Sequence, residues 1–105
     1  MLLIFKLIIG HAIADFALQS DAMANNKNRN IPKASPYAPS WQYWLIAHSL
    51  IHAGVVWIVT GSAVFSIVEL ICHYVIDLLK CDRRINTHED QFLHMLCKVL
   101  YYIMS

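Results

Sequence analysis

The chain has 105 residues and a formal net charge of +1; it is 58% hydrophobic, only 14% charged, and has a mean hydropathy of +0.48. One small domain has too little interior to hide so much apolar surface, and soluble domains carry about a quarter charged residues, so a membrane is the expected solvent. The near-neutral balance gives no electrostatic footprint for nucleic acid, which is not expected as a partner.

The first apolar segment covers about residues 2–23 and contains the stretch HAIAD, with His11 and Asp15 one helical turn apart. Ala12-Ile13-Ala14 has the look of a leader cleavage site, but Lys6 lies within the apolar run rather than ahead of it. A retained membrane helix is therefore expected rather than a cleaved signal. Residues 24–40 follow as a loop rich in asparagine and proline that carries Lys27, Arg29 and Lys33.

A second segment, 41–60, contains His48-x-x-x-His52, and Gly61-Ser62 alone separates it from a third at 62–80. A tight helical hairpin is expected there. The third segment carries Glu69, His73 and Asp77 at successive four-residue intervals. Residues 81–87 form a second basic loop with Arg83 and Arg84, adjoining Lys80. The fourth segment, 88–104, is expected to open on a Thr87-x-x-Asp90 capping box and contains Asp90-x-x-x-His94, with Lys98 four residues on. Cys72, Cys81 and Cys97 have no CxxC spacing and read as packing residues.

Each segment approaches the roughly 20 residues a helix needs to cross a bilayer. The fold class expected is all-α, a single domain forming a four-helix transmembrane bundle with a polar, metal-binding core. The basic residues fall in the loops at 24–40 and 81–87 and not in the Gly61 turn. The expected placement is a bacterial inner membrane with those loops cytoplasmic and both termini on the other side. Trp41, Tyr43 and Trp44 would sit at the cytoplasmic interface, and Tyr101 and Tyr102 near the opposite one.

Every segment thus carries imidazole or carboxylate pairs at i, i+4, a spacing that stacks two groups on one helix face. Counted from the basic-loop end, Asp15, His48, His73 and His94 fall at a common depth of roughly 10 Å at 1.5 Å per residue. His11, His52 and Glu69 would lie one turn deeper, and Asp77 and Asp90 nearer the loops. A charge facing lipid near the bilayer centre costs about 2.5–3.5 kcal/mol, so these groups must face one another. Carboxylates interleaved with imidazoles are the donor set a divalent cation satisfies. Zinc is the first expectation, one ion or two, with manganese or iron as alternatives. The competing reading is a set of His–Asp hydrogen bonds that hold the helices together without metal.

The ordered set His11-x-x-x-Asp15-Phe16-x-Leu18-Gln19, Met23, Lys27, His48-x-x-x-His52, His73-x-x-x-Asp77-x-x-Lys80 and Asp90-Gln91-x-x-His94 resembles a domain-of-unknown-function family. Its members are small bacterial and phage integral membrane proteins. The pattern is more distantly similar to the membrane-bound metal-dependent hydrolases, which share HxxxH and HxxxD helices. That second resemblance implies hydrolysis.

The expected activity is metal-dependent hydrolysis of a lipid-linked ester or phosphoester. His11, Asp15, His48, His52, His73, Asp77, Asp90 and His94 are the candidate ligands, enough for two metals about 3.5–4 Å apart. Glu69 is the candidate general base, and Lys80, Arg83 and Arg84 would attract an anionic head group. No GxSxG elbow, cysteine nucleophile motif or phosphate-cradling glycine loop is present, which leaves water as the nucleophile. The rival class is a non-catalytic, metal-stabilised membrane protein that binds a host membrane protein or a second copy of itself. Transport of ions or protons through the core is a third class. The apolar outer half of the second segment (Leu50, Val55, Val56, Ile58, Val59) argues against it.

Overall fold

The structure is a computed structural model and describes residues 2–33 and 35–105; residue 1 and residue 34 of the expected 24–40 loop lie outside the described residues. It is all-helical. The elements are α1 (Leu2–Ala12), a π-helical turn (Ile13–Ala17), α2 (Asp21–Asn26), α3 (Trp41–Thr60), α4 (Ala63–Cys81) and α5 (Thr87–Met104). Helices α1, α3, α4 and α5 pack in a closed ring, α1 against both α3 and α5, and α4 between α3 and α5. The particle measures 46 × 24 × 22 Å.

The α3–α4 hairpin forms as the Gly61-Ser62 pair requires. Gly61 adopts φ 70°, the left-handed region open to a residue without Cβ, and its N–H donates to the Trp57 carbonyl at 2.7 Å. Ser62 then caps α4 by accepting from the Phe65 N–H at 3.1 Å. Across the hairpin the Ser66 hydroxyl donates to the Ala53 carbonyl at 2.8 Å. On the other side of α3, α1 approaches closely because Gly10 has no side chain; a Cβ there would run into Val55 Cγ1.

The first segment is not one helix over 2–23. The Leu18 N–H reaches back five residues to the Ile13 carbonyl at 2.8 Å, which closes a π-helical turn around Asp15. The chain then breaks, and Ser20 caps the short α2 by accepting from the Met23 N–H. The start of α5 also differs from expectation. Asn86, not Thr87, is the cap, and it exchanges hydrogen bonds with Glu89: Glu89 N–H to Asn86 Oδ1 at 2.8 Å and Asn86 N–H to Glu89 Oε1 at 3.1 Å. A box set one residue earlier releases Asp90 from capping and lets it turn inward.

The interior is inverted relative to a soluble bundle. Twelve buried residues are polar or charged and eight are hydrophobic among those described, so burial here selects for ionisable groups. The outward faces are apolar: Val64, Ile67, Val68, Ile71 and Val75 run along α4, and Phe92, Leu96, Val99, Leu100 and Ile103 along α5. The conventional core is confined to one end, where Leu7, Val56 and Tyr101 meet Leu3, Val59, Phe65 and Cys97.

Four membrane spans are not supported by length and composition. Among the described residues only Trp41–Thr60 is long and apolar enough to cross a membrane. The reason lies in the same inward-facing charges: α1 ends after 11 residues, while α4 and α5 each carry three acidic or basic side chains.

The two basic loops meet at one end of the bundle. Arg29 forms a two-pronged pair with Asp82, and Asn30 Nδ2 donates to the Cys81 carbonyl at 3.0 Å and to Asp82 Oδ1 at 2.8 Å. The Arg29 guanidinium also lies 5.7 Å from the centre of the Trp41 ring.

Candidate metal centre

The i, i+4 pairs of α1, α3, α4 and α5 converge on the axis of the ring. Five imidazoles, from His11, His48, His52, His73 and His94, form one continuous cluster. His52 stacks on His73 with centroids 3.8 Å apart, and His73 on His94 at 4.4 Å. His48 stands edge-on to His52 at 4.8 Å and to His73 at 4.9 Å. All five are at most 3% exposed.

Asp15, aimed inward by the π-turn, enters the cluster between the two α3 histidines. Its Oδ1 lies 3.4 Å from His48 Nε2 and 3.5 Å from His52 Nε2. With His73 these make a group whose donor atoms all lie within 4.8 Å of one another and that could hold a metal ion. Donors bound at about 2.0–2.2 Å to a tetrahedral ion stand about 3.3–3.6 Å apart, which the two Asp15–His distances match. A second observation concerns the nitrogens. Both ring nitrogens of His48 and of His73, Nε2 of His52 and Nδ1 of His11 are buried with no hydrogen-bond partner. Buried polar atoms are otherwise nearly always paired, and an ion accepting the lone pairs is what would satisfy several of these at once.

The remaining candidates surround this group without joining it. Asp77 Oδ2 lies 3.7 Å from His48 Nε2 and 3.8 Å from His73 Nε2, but accepts a 2.6 Å bond from Lys27 Nζ. His94 Nε2 is 3.2 Å from Asp90 Oδ1. His11 Nε2 meets Gln91 Oε1 at 3.0 Å, and Gln91 Nε2 donates to Asp15 Oδ2 at 2.8 Å and Asp90 Oδ2 at 3.0 Å. Gln91 thereby clamps the Asp15 oxygen that faces away from His48 and His52. Glu69 sits behind His73, its Oε1 3.9 Å from His73 Nδ1. Its two oxygens are taken by Lys98 and by the Tyr101 hydroxyl, which donates at 2.7 Å. Asp15 Oδ1 lies between the two α3 histidines, which were expected one turn apart in depth.

Sequence reasoning missed three contributors. Lys27 was expected as a basic residue of a cytoplasmic loop and is 5% exposed. The reason is α2, which folds the chain back over the cluster, so Lys27 reaches Asp77. Tyr101 was expected at a membrane interface and is 3% exposed, its ring against Phe65 and its hydroxyl on Glu69. Gln91, uncharged, carried no ligand signal of its own; its place in the Asp90-Gln91-x-x-His94 motif was the available hint.

The structure thus defines an all-helical protein built around a buried histidine–carboxylate group able to hold a metal ion. The chain belongs to the family described as Protein of unknown function (DUF3307), whose model matches residues 3–105. No curated protein matches the chain, and no solved structure matches it.

Proposed function

We propose that this is an integral membrane metal-binding protein that hydrolyses a lipid-linked ester or phosphoester. The observation that carries the metal assignment is the Asp15–His48–His52–His73 group with its unpartnered nitrogens. Zinc suits three imidazoles and one carboxylate; manganese and iron are the alternatives. The membrane assignment rests on the inverted bundle: apolar stripes on α4 and α5 face outward, and the 46 Å long axis compares with the 40–45 Å of a bilayer including head groups. The basic loops that meet at one end supply the positive-inside signal, with the termini at the other side.

The bound ion would lower the pKa of a water and polarise the scissile oxygen. Gln91 fixes Asp15, while both oxygens of Glu69 are held by Lys98 and Tyr101. Those bonds make Glu69 an anchor between α4 and α5 in this reading rather than the base that takes the proton from water. Lys80, Arg83 and Arg84 line an open cleft of about 470 Å³ with Asn86, Thr87 and Glu89, suited to an anionic head group at the loop end.

A second reading has an observation of its own. Four protein donors fill a tetrahedral zinc, the arrangement of structural sites, which favours a metal-stabilised protein that binds a membrane partner. Zinc-loaded protein in vesicles of anionic phospholipid decides between them. Phosphate or fatty-acid release that disappears in His48→Ala supports hydrolysis. Stoichiometric metal with no turnover, and unfolding on chelation, supports the scaffold. Absence of bound metal sinks both.

A further inference from the structure

The charges of the core settle how many ions it can take, granted that the metal reading above holds. Four carboxylates project into it: Asp15, Glu69, Asp77 and Asp90. Two ammonium groups accompany them, Lys27 and Lys98, each 5% exposed or less. Arg29 and Asp82 pair with each other outside the core and cancel. Counting formal charges, with the histidines as the neutral lone-pair donors an ion requires, four negative charges against two positive leave the core at −2. An uncompensated buried charge is strongly unfavourable. One divalent cation neutralises the core, and a second would overshoot by two charges.

The geometry places the same restriction at a particular atom. Asp77 Oδ2 is the carboxylate oxygen best placed to extend the group, facing both His48 Nε2 and His73 Nε2. Lys27 Nζ is bonded to that oxygen at 2.6 Å. The lysine arrives from the end of α2, the short helix that exists because the first segment breaks after the π-turn. We propose that the core holds a single divalent ion, and that the Lys27 ammonium takes at Asp77 the place a second ion would occupy.

The test is metal content and affinity of the full chain in detergent, loaded with Zn2+ and stripped by chelator competition. Wild-type protein should retain one zinc per chain. Two per chain would overturn the single-ion inference while leaving the metal reading intact; none would remove the metal reading on which it rests. Lys27→Met takes away a neighbouring cation and frees Asp77, so zinc should be held at least about tenfold more tightly or a second equivalent should appear. Unchanged or weaker binding in a folded variant overturns the role given to Lys27. The double variant Lys27→Met/Asp77→Asn restores the core charge to −2 and guards against misfolding of the single one. It should bind one zinc within about threefold of wild type. Loss of zinc from the folded double variant would make Asp77 a required ligand and refute the substitution.

Discussion

Lys98→Met should destabilise this protein more than removal of any surface charge, and its magnitude follows from what surrounds the ammonium. Lys98 and Glu69 are each 1% exposed and bonded to each other. Methionine keeps the length and apolar character of the stem, so the change isolates the charge. It leaves Glu69 ionised and buried with one bond, from the Tyr101 hydroxyl. Breaking a buried pair in this way costs about 3–5 kcal/mol, whereas replacing both partners by neutral groups of similar volume is often close to neutral. Lys98→Met/Glu69→Gln should therefore recover most of the loss, since the glutamine can still accept from Tyr101. Unfolding free energies from denaturant titration in detergent, followed by helical circular dichroism, give the cycle. A loss below about 1 kcal/mol in the single variant, or a double variant no more stable than the single, would refute a charge pair as the organiser of this end of the core.

Gly10→Ala should cost about 1–3 kcal/mol through overpacking, because the new Cβ meets Val55 Cγ1, and Val55→Ala should relieve it in the same titration. Zinc at a hundredfold excess over its dissociation constant should raise stability by about 2.7 kcal/mol, read as a Tm shift that EDTA reverses and that is absent in His48→Ala. At the loop end, the hydrogen bond from Arg29, then that from the Asn30 amide, holds the Asp82 carboxyl below its usual value of 3.8. A depressed folded-state value stabilises above the unfolded value and is lost as pH falls through the folded one. The stability difference between wild type and Asp82→Asn should thus be full above about pH 5 and shrink below pH 3.8.

The long helices were legible because apolar runs and punctuation coincide: α3 occupies the same 41–60 as its run, and Gly61 ends it where a left-handed residue is needed. The convergence of His48, His52, His73 and Asp15 was legible from i, i+4 spacing, since that spacing fixes a face whatever the solvent. Lys27 was not, because a lysine among asparagines and prolines is ordinarily solvated, and only the fold of α2 reverses that. The π-turn left no trace either: an extra residue in a turn changes no composition and no local periodicity long enough to detect. The number of membrane spans could not be read from hydropathy alone, because the residues that build the polar core are the ones that lower it in α4 and α5.

The π-turn at Ile13–Ala17 carries a consequence for how the chain tolerates change in length. One surplus residue in a helix rotates everything after it by about a hundred degrees relative to everything before it. Upstream, Gly10 is locked against Val55; within the turn itself, Asp15 is clamped by Gln91. The surplus residue is the washer between two fixed fittings. Shortening this turn by one residue would force a choice between seating the helix on its neighbour and delivering the carboxylate. Lengthening α1 ahead of Gly10 would disturb neither.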